Sequence, residues 1–151
     1  MFSISQDDVL KALKKSMRLA KQDFLAGAKA EDPPYWTAQA EARRQIYLLL
    51  TKDVHENGVE AAYRRASRSY TALPLFHSHG EDQRPDPVIS GQERAFEMFF
   101  SILGVSPMKR AHLKNARRRV RPDNHIGARS ARDDKAKARH SIKLDASLPS
   151  S

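Results

Sequence analysis

Apolar side chains in this chain recur at three- and four-residue spacing, and prolines, glycines and an Asn-Gly pair interrupt the pattern at intervals. A period near 3.6 makes one face of a helix apolar and the opposite face polar, so it specifies amphipathic helices that must bury their stripes against one another. No segment shows the period of two that a half-buried strand requires. The expectation is an all-α protein, a bundle of four to five helices.

The breaks place the helices. Ser5 and Asp8 form an acidic variant of the capping box, and Val9, Leu10, Leu13, Met17, Ala20 and Phe24 then make one stripe, predicting a helix over 6–29. Lys11, Lys14, Lys15, Arg18 and Lys21 fall on its other side, the usual solvated face of such a helix. Pro33-Pro34 separates it from a second helix over 35–57, which stops at Asn57-Gly58. Its apolar set, Trp36, Ala42, Ile46, Tyr47, Leu49, Leu50 and Val54, covers close to half the wheel. This helix is therefore expected to be the most buried, with Trp36 as a core anchor. Val59, Ala62, Tyr63, Ala66, Tyr70 and Leu73 define a third over 59–73, with Arg64, Arg65 and Arg68 on the far side and Pro74 as its end. A loop follows. Ser90 to Glu93 reads as a second capping box opening a fourth helix over 91–103, in which Phe96, Phe99 and Phe100 imply a densely packed face. Gly104 stops it, and Ser106-Pro107 opens a fifth over 107–120. Beyond that point large apolar residues are too few to offset the entropy of ordering, so the chain divides into a helical domain, 1–120, and a disordered basic tail, 121–151.

Several chemistries are excluded by residue type. There is no cysteine, so disulfides, thiolate metal sites and a cysteine nucleophile are absent. No nucleophile elbow, phosphate-binding P-loop, dinucleotide fingerprint or His-Glu-x-x-His pair occurs, and the expectation is a protein that is not an enzyme and needs no cofactor. His77, His79, Glu81 and Asp82 are ligand-type residues, but no third histidine stands at a recognisable spacing. They read as a polar loop with no metal. The acidic Asp7-Asp8 start and the lack of a long apolar run fit neither a signal peptide nor membrane insertion, and the expected compartment is the cytoplasm.

Charge is the informative feature that is left. Residues 1–106 hold 14 basic and 14 acidic side chains, whereas residues 107–151 hold 13 and 4, so the whole net charge of +9 lies in the last 45 residues. Lys109, Arg110, Lys114, Arg117, Arg118, Arg119 and Arg121 form the densest tract and are the candidate nucleic-acid-binding residues, since each neutralised phosphate releases a counterion. Leu103-Gly104-Val105-Ser106-Pro107, followed by Leu113-Lys114 and Arg117-Arg118-Arg119, resembles the turn and second helix of a helix-turn-helix. That resemblance implies duplex DNA binding through the fifth helix, and with it a regulatory role. The chain departs from the motif at Phe100, where a small residue is usual, and at Arg110, where an apolar one is usual. The expected function is that of a small nucleic-acid-binding helical protein. The alternative is an interaction or structural protein whose basic tail only solubilises it or docks on an acidic partner.

Overall fold

Ser5 accepts the backbone N–H of Asp8 at 3.1 Å and opens α1 (Gln6–Gly27) as the capping residues dictate. The structure, a computed structural model, describes residues 2–74 and 85–117. After α1 come α2 (Pro33–Asn57), α3 (Val59–Thr71), α4 (Pro87–Ile102) and α5 (Pro107–Asn115), with no strand among the described residues. All five belong to one unit, Met1–Arg118. None of these helices is long and apolar enough to cross a membrane. The all-helical bundle expected from the periodicity is the fold that forms. The expected disordered tail over 121–151 and the His77–Asp82 loop lie outside the described residues.

α2 is the hub. It makes the two most extensive helix pairings, with α1 and with α4, and it also touches α3. Arg43 of α2 pairs with Asp23 of α1 at 2.6 Å, and Gly27 at the end of α1 lies against Trp36 at the start of α2, so these two helices run antiparallel. The core draws Val9, Leu13 and Ala20 from α1, Tyr47, Leu50 and Val54 from α2, Ala62, Ala66 and Tyr70 from α3, and Ala95, Phe96, Phe99 and Phe100 from α4. Its aromatic rings meet edge-on: Tyr70 sits 5.4 Å from Phe100 and 6.4 Å from Phe96, and Tyr63 lies 5.8 Å from Phe100. That geometry lets the positive ring edge face the negative ring face.

The fourth helix begins four residues before the expected position. Asp86, not Ser90, is its N-cap: the carboxylate accepts from the backbone N–H groups of Val88 and Ile89, and Pro87 fills the first turn. Ser90 and Gly91 are consequently internal and buried against α2. Gln39 donates to the Ser90 hydroxyl at 3.0 Å. A Cβ on Gly91 would overlap the Gln39 carbonyl oxygen and lie 2.9 Å from the Ala42 side chain. Glycine here serves close helix approach, a role indistinguishable in sequence from a cap. The fifth helix, expected to reach 120, ends at Asn115.

Two burial expectations are also corrected. Trp36 is 40% exposed, and Leu49, at 57%, points away from the core. The apolar arc of α2 is wider than the contact that α1, α3 and α4 make with it, so its edges stay open. The most densely buried helix is α4, whose Phe99 is fully enclosed, rather than α2.

Asp53 of α2 ties the third helix down. Arg65 donates its Nε to one carboxylate oxygen at 2.9 Å, and Asn57 donates to the other at 2.7 Å. The Arg65 hydrogen bond foremost holds the Asp53 carboxyl below its ordinary value.

Phe99→Ala should cost about 3–5 kcal/mol in urea unfolding, whereas Leu49→Ala should change stability by no more than about 0.5 kcal/mol. Because the folded state lowers the Asp53 pKa, its contribution is present above the unfolded carboxylate value and fades as pH falls through the folded one. The stability advantage of the wild type over Asp53→Asn should therefore shrink as denaturation is repeated below about pH 4.

Candidate nucleic-acid interface

The connection between α4 and α5 is a Schellman motif. Val105 N–H donates to the Phe100 carbonyl at 2.9 Å and Gly104 N–H to the Ser101 carbonyl at 3.0 Å, with Gly104 at a φ of 78° that favours glycine. Ser106 then caps α5 by accepting from Lys109 N–H at 3.1 Å, and Pro107 takes the first turn. Leu103, Val105 and Leu113 are buried and hold the turn and the helix to the core. The glycine turn and the serine cap read from the sequence are thus in place; a helix-turn-helix asks in addition for a close pair of helices.

The two departures from that motif have structural consequences. Phe100 is 1% exposed and is spent on the aromatic cluster with Tyr63 and Tyr70. Arg110 folds back, donating its Nε to the Val105 carbonyl at 3.2 Å, and is half-buried. α5 packs chiefly against α3. A large ring and a charged side chain stand where a tight pair would need small and apolar ones.

The candidate residues separate into four groups. Lys109 and Lys114 are exposed on α5, with Met108 and His112 exposed beside them. Arg110 is engaged with the turn. Arg118, Arg119 and Arg121 lie outside the described residues. Arg117 is a correction: its place in the basic tract predicts a solvent-facing cation, yet its side chain is only 1% exposed. It donates to the Leu73 carbonyl at 3.3 Å, to the Pro74 carbonyl at 2.7 Å and to the Glu93 carboxylate at 2.7 Å. Its guanidinium also stands 5.1 Å from the centre of the Tyr70 ring. A cation that binds the carbonyls just past the end of α3 also complements that helix's dipole.

Tyr70 completes this buried polar group by donating its hydroxyl to Glu97 at 2.8 Å. Burial first, and the Glu97 carboxylate second, raise the Tyr70 phenol above its ordinary value, so it stays a neutral donor. Three separate pieces of chain, the end of α3, the middle of α4 and the exit from α5, are joined here. One sequence signal points to it: Arg117 follows the buried Leu113 by four positions and therefore continues its face. The partners come from 24 or more positions away and have no such signal.

The lysines and arginine on the outer side of α1, Lys11, Lys14, Lys15, Arg18 and Lys21, are exposed as expected of a solvated face. Among the described residues no group of histidine and acidic side chains is arranged to hold a metal ion. Comparison with family models, with curated proteins and with solved structures finds no match to this chain. Its own geometry defines it as a helical bundle with a short, outward-facing basic helix, fastened by a buried arginine at the point where the basic part of the chain continues.

Removing Arg117 leaves Glu93 and two carbonyls without their donor. Arg117→Gln should cost about 3–5 kcal/mol in urea unfolding, while Lys114→Gln should fall within about 0.5 kcal/mol of wild type.

Proposed function

We propose that the protein binds the phosphate backbone of a nucleic-acid duplex through the exposed side chains of α5 and the basic residues that follow it in sequence. The carrying observation is charge segregation: residues 1–106 are neutral as a set, and the whole net charge of +9 falls from residue 107 onward. A chain that needed charge only for solubility would have no reason to concentrate it. Lys109 and Lys114 stand out from a helix that Leu113 holds to the core, so phosphates can reach them without any rearrangement. Arg117 supports the same reading from inside. It fixes the chain at the residue after which Arg118, Arg119 and Arg121 follow in sequence.

Residues 101–151 contain no aromatic side chain. Single-strand binding draws on bases stacked over aromatic rings, and nothing in this stretch supplies them. Backbone contact with a duplex is the mode that these residue types favour. With Arg110 folded onto the turn, α5 keeps few exposed side chains able to read bases, and affinity should depend little on sequence.

The test is fluorescence anisotropy of a short labelled duplex at several salt concentrations. The wild type should bind at low salt. Lys109→Gln/Lys114→Gln and Arg118→Gln/Arg119→Gln/Arg121→Gln should each flatten the slope of log affinity against log salt, by about 0.9 for every phosphate that is no longer neutralised. Lys11→Gln/Lys14→Gln/Lys15→Gln should bind as wild type does. Absence of binding at low salt would overturn the proposal in favour of an interaction protein with an acidic partner. Equal weakening in the α1 and α5 variants would overturn the assignment to α5.

A further inference from the structure

Two glycines bring three helices together around the start of α2. At Gly27 an added Cβ would lie 3.0 Å from Trp36 Cβ, so the end of α1 rests directly on the first turns of α2. At Gly91 the start of α4 meets the Gln39 backbone on another side of the same helix. Between these approaches the helices leave a cleft of about 330 Å³, lined by Asp23, Gly27, Trp36, Gln39, Arg43 and Arg94, with alanines of α1 and α2 completing its walls. Gly27 and the alanines add little bulk to its walls, and so it stays open.

Its chemistry is not that of a packing gap. Trp36 is 40% exposed yet held in place: Tyr35 meets it edge-on at 4.9 Å, and the Tyr35 hydroxyl donates to the Pro85 carbonyl at 3.0 Å. A partly exposed indole held in the cleft wall offers aromatic contact to a planar ring. Arg43 has only 11% of its side chain exposed. One of its terminal nitrogens is bound to Asp23. Arg94 lines the same cleft and forms no ion pair among the described residues. Both guanidiniums also act on the buried Tyr47. Two guanidiniums against the single carboxylate of Asp23 leave the cleft net positive, and the planar fork of arginine matches a carboxylate or phosphate. A volume of about 330 Å³ stands near the low end of the range of roughly 300–1,000 Å³ typical of small-ligand sites, enough for one ring system and one anionic group.

We propose that this cleft binds a small planar aromatic anion, its ring against Trp36 and its carboxylate or phosphate at Arg94 and Arg43. The site shares no residue with α5 and stands independently of the nucleic-acid reading.

Trp36 is the one tryptophan of the chain, so its emission reports the cleft directly. The full chain is titrated with benzoate and with adenosine monophosphate, each beside its neutral counterpart, benzamide and adenosine. A saturable change in emission with at least one anion is expected, with weaker binding of the matching neutral molecule. Saturation by benzoate alone assigns a carboxylate ligand, and saturation by adenosine monophosphate alone assigns a phosphate one; either supports the proposal. Arg94 is exposed, so Arg94→Gln should keep the circular dichroism spectrum while weakening the anion by about tenfold, as expected when one charge-assisted bond is removed. No saturable change with either anion, equal affinity for the neutral rings, or wild-type affinity in Arg94→Gln would each overturn the proposal.

Discussion

A buried guanidinium can persist only where oxygen atoms and aromatic surface replace the water it loses, and Arg117 has both. Its charge is met by Glu93, its donors are shared with the Leu73 and Pro74 carbonyls, and Tyr70 covers its face. These partners come from the end of α3 and from α4, so the end of α3, the position of α4 and the exit from α5 are set together. Tyr70 extends the constraint into the apolar core, because the ring that faces Arg117 also packs edge-on against Phe96 and Phe100. The cost of enclosing a charge is thus offset at a junction where orientation matters most.

The other organising contact is backbone against backbone. α4 reaches α2 closely because residue 91 has no side chain, and α1 reaches it because residue 27 has none. With α2 gripped at these points, its wide apolar arc cannot be covered completely. Trp36 and Leu49 are left at the uncovered edges, with different surroundings. Trp36 faces a cleft that holds two arginines, whereas Leu49 is an exposed leucine of the ordinary kind.

Both proposed sites follow from where the bundle puts positive charge. Around α5 Lys109 and Lys114 stand free of the core and further basic residues follow in sequence, which suits a long, repetitive polyanion. In the cleft two guanidiniums are confined beside one ring, which suits a small anion of defined shape. Long-range attraction governs the first and enclosure the second.

Helix identity was legible in the sequence because it rests on local periodicity and caps. The stripes through Val9, Leu13 and Ala20, through Ala62, Ala66 and Tyr70, and through Phe96, Phe99 and Phe100 all bury as their spacing implies. The turn at Gly104 and the Ser106 cap were equally legible, since turn chemistry depends on neighbours a few residues apart. Charge segregation needed no structure at all. What only the tertiary structure decided is what each residue faces. Ser90-Gly91 carries the same signal as a cap and as a close-approach site, and α2 lying against it determined which. Trp36 sits on an apolar arc, but how much of that arc is covered depends on the other helices. Arg117 reads as one more cation in a basic run, and became a buried fastener because Glu93, Tyr70 and the end of α3 converge on it. Periodicity is a property of the chain alone, whereas burial and pairing belong to surfaces that exist only once the helices have met.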